Sequence, residues 1–187
     1  MPEAAVPYPW YQLVAGDSIE QGDILRSFEV LVPIAAIGAA EDEISADIKT
    51  FDVVVMTQSC DIEQGKTPSL LLCPLFELWS FIDQASEQGE NWGSNIREKL
   101  RQGGLPGYHL LNEFEHAELT FPFSVVDFHE VYSAPTNQAK KFVENCGRRL
   151  RLCPPYKEHL AQAFARFFMR VGLPVIISTD KLKRKSP

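Results

Sequence analysis

The chain has 187 residues, of which 45% are hydrophobic and 23% charged, the composition of a folded globular protein rather than a disordered one. A chain of this length buries about 70% of its unfolded surface, enough for a core without staples. Its net charge of −7 hides a split, with 6 Lys+Arg against 22 Asp+Glu in residues 1–136 and 12 against 3 in residues 137–187. Such an asymmetry reads either as a basic surface for an acidic partner such as nucleic acid, or as two halves that attract one another.

The opening MPEAAVPYPW lacks the basic start and apolar run of a secretory leader, and no stretch approaches the ~18 apolar residues of a membrane span. The expectation is a cytoplasmic protein with no membrane partner, folded as a single domain over 1–187. Residues 1–20 form an arm whose Trp10, Tyr11 and Leu13 pack on the surface. Gly22-Asp23 signals a turn, and Ile24 to Val32 reads as a strand. Residues 35–50, with Glu41, Asp42, Glu43 and Asp47, read as an exposed acidic loop. FDVVVMTQ at 51–58 and SLLLCPL at 69–75 are apolar enough to be buried on both faces. The link 59–68 is too short for a parallel crossover, so these two strands pair antiparallel.

Residues 76–107 read as a helical insertion, with helices over 76–88 and 91–102, the second ending at Gly103-Gly104. Strands are expected at 108–111, 121–128 and 131–133, the middle one confined to a sheet edge by Pro122. A short helix fits 136–145. Arg148–Leu152 alternates basic and apolar residues as a half-exposed strand does. The strongest helical pattern starts at Pro154-Pro155 and runs to about Val171, with Leu160, Phe164, Phe167, Phe168 and Val171 on one stripe. A last strand is expected at 175–178 and a basic tail at 179–187.

Candidate chemistry is sparse. Thr57 to Asp61, TQSCD, places small polar groups where a buried strand meets a loop. Cys60 would be a nucleophile if a base stood beside it, but His109, His116, His129 and His159 are all distant in sequence. The alternative is structural, with Asp61 holding the turn and Cys60 packed beneath it. Cys60, Cys73, Cys146 and Cys153 have no C-x-x-C spacing, so neither zinc nor a disulfide is expected. No phosphate loop, dinucleotide fingerprint or other cofactor motif is present. Arg149 and Arg151 share a strand face, and Arg166 and Arg170 share a helix face. Together they make a candidate phosphate-binding patch, the alternative being ion pairs with the acidic half.

GDIL at Gly22–Leu25, VVVMTQS at Val53–Ser59 and LLLCPL at Leu70–Leu75 resemble the opening of MazF/PemK-type toxins. That resemblance covers about residues 22–75. It implies a small open antiparallel β-barrel of the Src-homology-3-like kind, with inserted and C-terminal helices in a mixed α+β chain. It also implies an endoribonuclease with Arg26, Ser59 and Asp61 as its residues. Two features depart from the toxins: the insertion at 76–107, and acids where the toxins carry basic residues against RNA. TQSCD and PPYKEHLAQAFARFFMRVGLP also resemble segments of a bacterial family that brings no activity with it. The function expected from the whole is a noncatalytic interaction module, binding a protein partner or RNA/DNA, in a bacterial stress or defence system. An endoribonuclease and a Cys60-dependent hydrolase are the alternatives.

Overall fold

The computed structural model describes residues 8–33, 46–87 and 95–169. Within them the strands are β1 (Tyr11–Val14), β2 (Ile24–Pro33), β3 (Ala46–Val55), β4 (Ser69–Glu77), β5 (Tyr108–Leu111), β6 (Phe114–His116), β7 (Leu119–Phe121), β8 (Ser124–Asp127), β9 (Tyr132–Pro135) and β10 (Arg149–Leu152). The helices are α1 (Ser59–Glu63), α2 (Leu78–Glu87), α3 (Ile96–Arg101), α4 (Thr136–Asn145) and α5 (Tyr156–Phe168). No described helix is long and apolar enough to cross a membrane.

The fold is mixed α+β around one antiparallel sheet of order β2-β3-β4-β8-β5, with β9 also paired to β4. β2 pairs β3 and β3 pairs β4, both antiparallel, as the short link 59–68 requires for the second pair. β4 changes partner along its length. Ser69–Leu72 pair with β9, and Leu75–Glu77 pair with β8. Pro74, which has no amide to donate, lies at that changeover.

Side chains alternate across the sheet and so feed two cores. Val54, Cys73, Leu75 and Val126 face one side and pack with Phe128, Leu150, Leu152 and Leu160 under the β1–β10 ribbon and α5. Val53, Val55, Leu70 and Leu72 face the other, where Ala139 and Val143 of α4 cover them. Further along this second face, Val125 packs with Leu78 and Phe81 of α2 and with Ile96 and Leu100 of α3.

Several sequence expectations are corrected. Residues 11–14 are a strand, and Tyr11 is buried rather than lying on the surface. β3 starts at Ala46, inside the expected acidic loop, because its register with β2 carries the hairpin beyond the core. TQSCD does not end in a loop: Ser59–Glu63 is a short helix. The expected strand 121–128 is cut at Pro122. Its first part pairs with β6 in a separate hairpin, and its second part is interior, between β4 and β5. The expected helices over 76–88 and 91–102 are described as Leu78–Glu87 and Ile96–Arg101. The expected strand 175–178 lies outside the described residues.

Candidate functional site

The TQSCD segment is held by its hydroxyls. Thr57 Oγ1 accepts from the Leu71 amide at 2.7 Å, and Ser59 Oγ accepts from the Gln21 amide at 3.1 Å. Cys60 is exposed, and its sulfur lies 3.7 Å from Gln58 Oε1 and 3.9 Å from Asp61 Oδ1. Neither neighbour is a histidine. His129 is held by Asp127 at 2.7 Å, His116 accepts from the Glu118 amide at 3.2 Å, and His109 and His159 line a different surface.

Arg26 sits on a bulge of β2, where Arg26 and Ser27 together oppose Asp52. Ser27 has φ of 54°, an uncommon backbone for a non-glycine residue, and Asp52 holds it by accepting from its amide at 2.8 Å. Arg26 Nε lies 3.4 Å from the same carboxylate, and Arg26 and Arg148 line a pocket of about 270 Å³. Ser59 and Asp61 do not line it. The structure therefore does not gather Arg26, Ser59 and Asp61 into one pocket among the described residues.

The basic cluster is corrected more sharply. β10 is buried at every position, and Arg149 and Arg151 are only 3% and 6% exposed. Leu150 and Leu152 face the core, so the arginines face the opposite way, onto Asp23, which is completely buried. Asp23 Oδ2 accepts from Arg149 Nε at 2.9 Å, from an Arg151 terminal nitrogen at 3.0 Å and from the Glu20 amide at 3.2 Å. Asp23 Oδ1 accepts from Arg151 Nε, and Glu20 takes another Arg151 nitrogen. The Gly16 carbonyl accepts from Arg149, and the Ser18 carbonyl accepts from both arginines. No buried side-chain polar atom among the described residues lacks a partner. The charge asymmetry is thus used, at these two residues, to join the chain's halves. Arg166 is exposed on α5, and Arg170 lies outside the described residues.

A pocket of about 760 Å³ among the described residues is one that motif reasoning missed. Its floor is Leu78, Leu100, Leu110 and Phe123. One wall is Trp10 stacked on Tyr156, with centroids 3.7 Å apart and planes 11° from parallel. Opposite elements contribute Trp79, 54% exposed, with the Arg97 guanidinium 5.4 Å from its ring centre. Arg101, His109, Asn112, Glu113 and His159 supply the polar groups.

Backbone geometry fixes these walls. The Leu78 amide donates to Phe123 O at 2.9 Å, Tyr11 Oη donates to Asn112 O at 2.6 Å, and the Cys153 amide donates to Trp10 O at 2.9 Å. Gly103, with φ of 66°, closes α3 and turns the chain along the pocket edge. Burial pushes the His109 imidazole down to about 4, with His159 adding to the shift, so His109 is neutral at pH 7. Burial pushes the Cys73 thiol up to about 12, helped by Asp127, which makes it inert. No cluster of three or more His, Cys, Asp or Glu suited to a metal is found among the described residues.

Comparison with known proteins gives no matching family model, no matching curated protein and no matching solved structure. One signal in the sequence pointed to the large pocket. Trp79 is a large apolar residue standing off the buried Leu78–Phe81–Ala85 stripe of α2, where a polar residue is usual.

Proposed function

We propose that this protein is a noncatalytic interaction module that grips a protein partner in the pocket between α2, α3, β5 and the start of α5. The observation that carries the reading is the pocket's makeup. An apolar floor is ringed by Trp10, Trp79, Tyr156 and Arg97, residue types that dominate binding energy at protein interfaces. A concave apolar site with a few polar groups is also the ordinary form of a binding site. The hydrolase reading has no base beside Cys60 to support it. The endoribonuclease reading keeps one supporting observation, the strained bulge that presents Arg26 beside Arg148.

Affinity capture from the native host, with protein and RNA both identified, separates the readings. A partner protein should be retained by wild type and by Arg26→Ala, and lost by Trp79→Ala. Recovery of RNA that depends on Arg26, with cleavage of it in vitro, would replace the reading with the endoribonuclease.

A further inference from the structure

Resting on that reading, we infer that the pocket's occupant is a polypeptide segment with a large apolar side chain next to an Asp or Glu. The apolar floor takes the anchor, and the polar groups around it set what flanks the anchor. Arg97 is exposed and forms no ion pair with any described residue, and its planar guanidinium lies 5.4 Å from the Trp79 ring centre. Such a fork receives a carboxylate in two parallel hydrogen bonds. Arg101 is already held by Glu98 at 2.6 Å and adds little free charge. His109 is neutral. Glu113, exposed on the β5–β6 side, is the one acid among the described residues that line the pocket. The α3 side is therefore the cationic one, and an acidic flank laid there avoids Glu113.

The same facts disfavour nucleic acid. A strand of phosphates needs a basic groove that tracks it. Here, among the described residues, one arginine without an ion pair lines the pocket, the chain carries −7, and Arg149 and Arg151 are held by Asp23.

The test is selection of a random phage-displayed library of about twelve-residue peptides on the full-length protein, with counter-selection on Trp79→Ala. Pocket-dependent peptides should be enriched in Asp or Glu beside Phe, Trp or Leu. Arg97→Gln should weaken them about five- to tenfold by isothermal titration, the size expected of a close charge pair. Glu113→Gln should leave them unchanged or tighter. Pocket-dependent peptides with neutral or basic flanks, or full affinity in Arg97→Gln, would overturn the inference while leaving the protein-binding reading intact. Failure to find any pocket-dependent peptide, alongside Trp79-dependent binding of oligothymidylate, would overturn both.

Discussion

At the scale of the residue, Asp23 decides how the chain's charge is used. It is fully buried between two guanidiniums that are themselves almost fully buried. A buried pair of this kind adds little compared with a well-packed apolar replacement, but removing one partner strands the other charge. Asp23→Asn should therefore destabilise the protein by about 3–5 kcal/mol. Arg148 and Glu118 meet at 2.8 Å but are about half exposed, so Glu118→Gln should cost under about 1 kcal/mol. Urea unfolding of the two variants beside wild type checks the contrast, and equal midpoints would contradict it. The alternation of basic and apolar residues in Arg149–Leu152 is a true strand signal. What it could not convey is that the basic face is covered too, because the covering residues, 16–23, lie more than a hundred positions away.

At the scale of the element, legibility followed the strength of local patterning. α4 was readable to its ends, and the β-branched run of β3 and the apolar run of β4 announced buried strands. β1 was not readable: four residues carry too short a period, and it is a strand because β10 pairs with it. α1 was missed for a similar reason, since its one buried residue, Ile62, makes no stripe. The turn into β2 was legible from Gly22, and the structure adds why glycine is needed. Gly22 has φ of 85°, and an added Cβ would stand 3.0 Å from Leu152 Cβ. Gly22→Ala should lower stability by about 1–3 kcal/mol through backbone strain. Calorimetric melting measures it, and an unchanged Tm would show that the turn relaxes without cost.

At the scale of the whole molecule, the candidate site arises where separate parts of the chain meet. Trp10, Trp79, Arg97, His109 and Tyr156 come from five elements or their flanks, so no spacing in the sequence announces them. One consequence is acid sensitivity. The folded state holds the His109 imidazole at about 4, against an ordinary value of 6.5. Between those values the unfolded chain binds a proton that the folded chain refuses, so stability is present above pH 6.5 and lost as pH falls toward 4. His109→Gln should lose stability less steeply over that window, read from urea midpoints at pH 7 and pH 4.5. Photocrosslinking in the native host, with benzoylphenylalanine placed at position 113 on the pocket rim and, separately, at position 166 on the exposed side of α5, tests directly whether the pocket is where the partner docks. Binding in the pocket requires a discrete polypeptide adduct from position 113 and none of that mass from position 166. No adduct from position 113, an adduct to nucleic acid, or the same adduct from both positions would contradict it.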